Sequence, residues 1–242
     1  MTNLAGKLTL QRSPLFRGLS PTALERIGAL AVQRAYRAGE LVFSQGDPGD
    51  ALHAIVRGKV RISAGDSDGR EVFFNLLGAG DTFGEIALLD GGARTATATA
   101  VVASELLAIA RAPFLATLEA EPRLALELLR LCGERLRWTS GLAEDSALLD
   151  PPARLARRLL ALCEHHGEPA PAGVTLRLSQ EEIANFLGVS RQLVNQYLQE
   201  WRTRRWVDLA RGAVIIRDKA ALARRGLPDA PNGDPRPHRT GV

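Results

Sequence analysis

The segment LSQEEIANFLGVSR, residues 178–191, carries the start and end signals of two consecutive helices. Ser179 and Glu182 form an S-x-x-E capping box, in which each side chain accepts a hydrogen bond from the other residue's backbone N–H. Gly188 can adopt the left-handed conformation that ends this helix without steric cost. Ser190 caps the following helix, Arg191–Arg202. Two helices joined by so short a turn predict a helix-turn-helix.

The second of these helices has an apolar face and a polar face. Its buried side is predicted to consist of Leu193, Val194, Tyr197, Leu198 and Trp201. The opposite side starts at the N-terminal end of the helix, where a recognition helix meets base edges. Arginine can donate twice to guanine, and Gln or Asn can pair with adenine in the same two-pronged way. We therefore predict a DNA interface formed by Ser179, Ser190, Arg191, Gln192, Asn195, Gln196 and Arg202.

A hairpin is predicted directly after the two helices. Trp206–Leu209 and Ala213–Ile216 read as strands separated by a turn at Ala210–Gly212, which makes the motif a winged helix-turn-helix. The basic residues around it would contact phosphates and add affinity without sequence information, and they are Arg202, Arg204, Arg205 and Arg211. An ordinary solvated basic surface is the alternative.

The charge of the chain is unevenly distributed. The 242 residues carry a net charge of +4. From Pro151 onward there are 15 Lys and Arg against 9 Asp and Glu, whereas residues 1–150 have a net charge of −2. A basic C-terminal part favours a polyanionic partner such as double-stranded DNA, although solvated surface charge would also account for it.

The first half of the chain has a different pattern. After a helix predicted from Pro21 through Ala31, the stretch Tyr36–Ile109 consists of short apolar or alternating runs such as ALHAIV, EVFFNLL and ELLAIA. Gly and Asp turn signals separate these runs. Many short strands at this spacing predict an antiparallel, jelly-roll-like β-roll, and with the helices they predict an α+β chain.

One segment of the roll, FGEIALLDGGARTAT at residues 83–97, has the composition of an anion site. A short helix after Gly84 would present backbone N–H groups of residues such as Ile86 and Ala87. Arg94 could neutralise a phosphodiester, with Thr95 as a further donor, while Glu85 could accept from a sugar hydroxyl. The alternative is a Glu85–Arg94 salt bridge that only joins parts of the roll.

A long helix is predicted between the roll and the helix-turn-helix. Pro113–Ala147 reads as helical with a break at Pro122. A narrow stripe follows three-four spacing, and its members are Leu129, Cys132, Leu136, Thr139 and Ala143. From Pro122 this helix would be roughly 40 Å long, more than a small domain needs for its own core. We expect it to form a homodimer interface, with a purely intramolecular helix as the alternative.

Several classes of protein are disfavoured by the composition. Two cysteines, Cys132 and Cys163, are too few to ligate an iron–sulfur cluster or a structural zinc, so no metal is expected. His53 is expected to be packed or on the surface rather than a ligand. No nucleophile is paired with a base in a recognisable motif, so an enzyme is not expected. With no long apolar run and no secretory start, we expect a cytoplasmic protein without membrane contact.

The roll, the segment FGEIALLDGGARTATA, the long helix and the winged helix-turn-helix, in this order, resemble the CRP/FNR family of bacterial regulators. The resemblance covers roughly Leu15–Asp218. In the cyclic-AMP-binding members it implies that Gly84 and Glu85 face the ribose and phosphate and that Arg94 and Thr95 hold the cyclic phosphate. It also implies that Thr139-Ser140 contact adenine across a dimer.

The resemblance has departures. The cysteines that the redox-sensing branch carries near its N-terminus are missing from this chain, so a cluster is not expected. Arg191 is retained in the recognition helix, but Gln192 and Gln196 stand where the receptor has glutamate and arginine. The operator should therefore differ in part.

Together these patterns predict four regions. They are a cyclic-nucleotide-binding roll at 1–120, a dimerisation helix and hinge at 121–150, a winged helix-turn-helix at 151–226 and a disordered tail at 227–242. We expect a homodimeric transcription regulator that binds cyclic AMP as effector, reads a pseudo-palindromic operator and acts on RNA polymerase. Ligand binding would move the hinge at Asp150. The alternatives are a constitutive DNA-binding dimer and a regulatory subunit of an enzyme.

Overall fold

The computed structural model describes residues 10–11, 13–65 and 71–227. The predicted tail therefore lies outside the described residues apart from its first position, Leu227. Contacts within the chain define two compact units, 1–140 and 141–242. This division lies ten residues before the predicted boundary at Asp150, inside the long helix.

The first unit begins with helix α1, Pro21–Leu30, whose N-terminus is capped by Ser20. The Ser20 hydroxyl accepts from the backbone N–H of Ala23 at 3.2 Å. The sequence placed Ala31 in this helix and the first strand after Tyr36, but strand β1 already spans Ala31–Tyr36. This strand lies at a sheet edge and its four central residues are all exposed, so it lacks the alternation that identifies a half-buried strand.

The predicted antiparallel roll is present, and its described residues form two four-stranded sheets. The remaining strands are β2 Leu41–Phe43, β3 Ala51–Arg57, β4 Val60–Gly65, β5 Glu71–Leu77, β6 Thr82–Phe83, β7 Thr97–Ala100 and β8 Ser104–Ala110. One sheet has the order β1-β8-β3-β6 and the other β2-β7-β4-β5. Side chains from both sheets, including Ile55, Leu106, Val60 and Ala98, form one buried cluster. Helix α2, Glu85–Asp90, follows β6 directly.

Two helices follow the roll, with the predicted break at Pro122. Helix α3 spans Arg111–Ala120 and helix α4 spans Pro122–Leu148. Leu124 and Leu128 of α4 are buried in a cluster shared with α1 and the roll. The predicted stripe lies elsewhere on the helix surface: Leu129, Leu136, Thr139 and Ala143 are exposed and Cys132 is half-buried.

The second unit contains the predicted helices and hairpin. They are α5 Pro151–His166, α6 Gln180–Leu187, α7 Arg191–Thr203, β11 Val207–Ala210 and β12 Ala213–Ile216. The sequence did not predict β9 Glu168–Ala170, β10 Gly173–Leu176 or helix α8 Lys219–Arg225. Strand β10 pairs with β12 and β9, so the wing is part of a four-stranded sheet. No helix in the described ranges is both long and apolar enough to cross a bilayer.

Candidate functional site

A left-handed glycine positions the candidate anion site of the roll. Gly84 has φ +85° and stands immediately before α2. A β-carbon at this position would lie 2.5 Å from Arg94 Nη1 and 3.2 Å from the Ala51 carbonyl oxygen. Glycine is therefore required both by the backbone conformation and by the close approach of the guanidinium.

The guanidinium of Arg94 is almost completely buried, and the residue is 3% exposed. Its Nη1 donates to the Gly84 carbonyl at 3.0 Å and its Nη2 to the Ala51 carbonyl at 2.8 Å. The Phe43 ring centroid lies 4.1 Å from the guanidinium carbon. The Asp50 carboxylate is 3.5 Å from Nη2, but 85% of that side chain is exposed.

The buried charge of Arg94 is thus held by backbone carbonyls instead of a close carboxylate. Burial lowers the pKa of Arg94, while the carboxylates of Asp50, Asp47 and Glu85 act in the opposite direction. The Nε–H is buried and has no hydrogen-bond partner within residues 10–11, 13–65 and 71–227. Because a buried cation is stabilised mainly by a paired negative charge, this arrangement suits an anionic ligand that accepts from Nε–H.

Glu85 does not form the alternative salt bridge with Arg94. Its buried carboxylate instead lies 3.9 Å from Arg135 Nε of helix α4. Arg135 Nη2 also donates to the Thr82 carbonyl at 3.0 Å, so it joins the long helix to the strand that precedes the site. Arg135 was not predicted as a site residue; the sequence signal for it is a position three residues from both Cys132 and Trp138, on the same side of a predicted helix.

The structure brings only part of the predicted ligand site together. Gly84, Glu85 and Arg94 are neighbours at the start of α2, and Ala87 is a buried residue of that helix. The other predicted ligand contacts have exposed side chains, and they are Ile86, Thr95, Thr139 and Ser140.

His53 is packed beside this site. Its ring stacks on Phe83 at 5.1 Å between centroids and lies 5.6 Å from the Phe43 ring. Burial lowers the pKa of His53 to about 4, and the positive charge of Arg94 adds to the effect. Its Nδ1 is buried and has no hydrogen-bond partner in the part of the chain that the structure describes. His53 is therefore neutral at physiological pH.

The helix-turn-helix has the predicted caps. Ser179 Oγ accepts from the Glu182 N–H at 3.2 Å, and Glu182 Oε2 accepts from the Ser179 N–H at 2.7 Å. Gly188 has φ +65° and Ser190 caps α7. Val194, Leu198 and Trp201 are buried, while the predicted base-reading residues Arg191, Gln192, Asn195 and Gln196 are exposed.

A groove separates the start of α6 from the wing. Its volume is about 480 Å³, and its lining includes Ser179, Gln180, Arg191, Leu209 and Gly212. Arg191 is only loosely held, since its Nε lies 4.0 Å from Glu181 Oε2 and both side chains are mostly exposed. The arginine therefore remains available to a partner at this surface.

Some of the predicted phosphate-contacting arginines are exposed, whereas another already has contacts within the protein. Arg202 and Arg211 are exposed, and Arg211 stands at the tip of the wing beside Gly212. Arg204 pairs with Glu200 at 2.8 Å and packs on the Trp206 ring at 5.1 Å. Arg204 is thus partly used to support the wing.

Two regions of the chain match two different protein-family models. Residues 33–121 match a cyclic nucleotide-binding domain, and residues 153–225 match a Crp-like helix-turn-helix domain. The CRP-like cAMP-activated global transcriptional regulator of Mycobacterium tuberculosis is 35% identical over 218 residues, which are 89% of this chain and 97% of that protein. The chain belongs to the CRP/FNR family.

Two further proteins are similar to this chain over most of its length. The cyclic AMP receptor protein of Thermus thermophilus is 34% identical, over 88% of this chain and 96% of that protein. The solved structure of the c-di-GMP responsive global regulator CLP of Xanthomonas campestris superposes with a TM-score of 0.71 at 26% identity, over 81% of this chain and 99% of that one. As a CRP/FNR protein, the chain is a DNA-binding transcription regulator and not an enzyme.

Proposed function

We propose that this regulator is a homodimer controlled by a cyclic nucleotide that binds in the roll. Cyclic AMP is the nucleotide that we propose first. The observation that carries the proposal is the buried Arg94, whose Nε–H has no hydrogen-bond partner among the described residues and whose ion-pair partner, Asp50, is mostly exposed. A cyclic phosphodiester supplies one negative charge and oxygen acceptors for such a guanidinium. Glu85 would accept from the ribose, and Thr95 would add a hydroxyl donor. The M. tuberculosis relative is named as cAMP-activated, which agrees with this choice.

The exposed stripe of α4 supports the dimer. Leu129 and Leu136 are more than two-thirds exposed, and two such stripes would cover each other in a paired helix. Thr139 and Ser140 stand on the same helix, where they would contact the adenine of a nucleotide held by either subunit. The ligand would then favour one arrangement of the helix pair through its higher affinity for it.

The dimer would present two α7 helices about 34 Å apart, which corresponds to one turn of B-DNA and to a pseudo-palindromic operator. Arg191, Gln192, Asn195 and Gln196 would read base edges, while the caps Ser179 and Ser190 and the exposed Arg202 would position the protein on phosphates. RNA polymerase would be the partner through which the bound dimer changes transcription.

One observation favours a second function, a constitutive DNA-binding dimer. Arg94 donates to the carbonyls of Gly84 and Ala51, so it joins two segments of the roll through the protein's own backbone. On this view the roll is structural or binds another small effector.

Calorimetric titration separates the two functions. We expect saturable heat with cyclic AMP, and at least tenfold weaker binding by Arg94→Ala, since a hydrogen bond to a charged group contributes about 1.5–3 kcal/mol. Arg57→Ala, which changes an exposed arginine of the same roll, should bind as the wild type does. Parallel titrations with cyclic GMP and c-di-GMP identify the nucleotide. No heat at millimolar concentrations of all three would favour the constitutive dimer.

A further inference from the structure

A buried cluster of charges joins the end of the long helix to the DNA-binding unit. Asp145, in the last turn of α4, is 5% exposed. Two arginines of α5 bind it: Arg157 Nη1 lies 2.7 Å from Oδ1 and Arg158 Nη2 lies 2.9 Å from Oδ2. Both carboxylate oxygens are therefore engaged by the neighbouring helix.

Arg158 extends this cluster to the helix-turn-helix. The residue is 7% exposed, and its Nη2 is also 3.4 Å from the Gly141 carbonyl. Its guanidinium carbon lies 5.8 Å from the centroid of the Phe186 ring, which belongs to α6. One arginine thus contacts the last turns of α4 and the helix that leads through Gly188 into α7.

The same helix holds α4 at a further point, because Arg154 Nη1 lies 3.4 Å from Ser146 Oγ. These contacts explain why residues 141–148 of α4 belong to the second compact unit. Asp150, the predicted hinge, is itself bound: it caps α5 through the Ala153 N–H at 2.9 Å and pairs with Arg225 at 2.5 Å.

We propose that Asp145 is a positioning residue that couples nucleotide binding to DNA binding. The proposal rests on the nucleotide control proposed above. Thr139 and Ser140, the predicted adenine contacts, directly precede Gly141, where the second unit begins. A change in the orientation of the long helix α4 would be transmitted through Asp145 to Arg158, and from Arg158 to α6. Because the two oxygens of the Asp145 carboxylate bind two different arginines of α5, a rotation of α4 would be transmitted to α5.

The experiment measures operator affinity at one salt concentration, with and without saturating cyclic AMP, and takes the ratio as the coupling. We expect Asp145→Asn to reduce this ratio at least fivefold while cyclic AMP still binds. Glu144→Gln, an exposed neighbour on the same helix turn, should keep the wild-type ratio. An unchanged ratio in Asp145→Asn would overturn the proposal.

A double variant separates coupling from simple support of the fold. Asp145→Leu together with Arg158→Met removes the pair without leaving a buried charge unpaired, so the fold should be kept. The coupling should still be lost, and a wild-type ratio in this variant would show that the pair only stabilises. If the wild-type protein itself shows no response to cyclic AMP, nucleotide control fails and the role of Asp145 fails with it.

Discussion

The two units of the protein each bury an arginine, and the two arginines are held in opposite ways. Arg158 pairs with Asp145, a carboxylate that is as deeply buried as the arginine itself. Arg94 donates to backbone carbonyls, and its nearest ion-pair partner, Asp50, is 3.5 Å away and mostly in solvent. Arg158 thus has a buried counterion within its own unit, whereas the ion-pair partner of Arg94 among the described residues is mostly in solvent.

This difference predicts where charge removal costs stability. We expect Asp145→Ala to lower the free energy of unfolding by about 3–5 kcal/mol, because it leaves buried Arg158 without its counterion. Asp50→Ala should cost only about 0–1 kcal/mol, as expected for an exposed pair. Urea unfolding of both variants at pH 7 measures the contrast. Equal losses would mean that Arg94 depends on Asp50 as Arg158 depends on Asp145, and the comparison would fail.

The positive charge of the buried Arg94 should also be measurable through its effect on the pKa of His53. Its pKa is about 4 in the folded protein against 6.5 for a free histidine, because of burial first and Arg94 second. Between these values only the unfolded chain takes up the proton, so stability is complete above pH 6.5 and falls as the pH drops towards 4. The loss should reach about 3 kcal/mol at pH 4.

Unfolding measurements at pH 7.5 and pH 5 test this dependence, with His53→Phe as the control. Phenylalanine can keep the stack on Phe83 but cannot titrate, so the variant should lose less stability on acidification than the wild type. An identical pH dependence in the two proteins would show that the protonation of His53 does not cause the loss of stability. A bound anion at Arg94 would offset the positive charge and flatten the wild-type dependence.

The helix-turn-helix could be predicted from sequence nearly to the residue because its signals are local. Ser179 and Glu182 cap each other across one turn, and Gly188 and Ser190 mark the next boundary within eight residues. Each signal acts through the backbone of its own helix end, so no distant contact is needed to interpret it. The exposed face of α7 follows from the same periodicity.

The anion site of the roll could be predicted only in part because its members are distant in sequence. Arg94 is held by Ala51 and Gly84, and Glu85 pairs with Arg135, fifty residues further along the chain. Residue types identified Glu85 and Arg94 as candidates but could not show that they do not pair with each other. The Asp145 cluster was not predicted for a different reason: its partners are only 12 and 13 residues away, but a charged residue on a long amphipathic helix is usually solvated.

In contrast to the buried Arg94 and Arg158, Arg191 is exposed and only loosely paired with Glu181. Its charge is already solvated, so its contribution should appear in DNA recognition and hardly at all in folding. We expect Arg191→Ala to lower affinity for the operator by about 1–3 kcal/mol and to relax the preference at one base pair.

Arg211→Ala, at the wing tip, should weaken binding to all sequences alike. It should also reduce the slope of log affinity against log salt concentration by about 1. Binding to an operator and its single-base variants over a range of salt concentrations distinguishes the two. If Arg191→Ala weakens every site equally, Arg191 is a phosphate contact and the base reading rests on Gln192, Asn195 and Gln196.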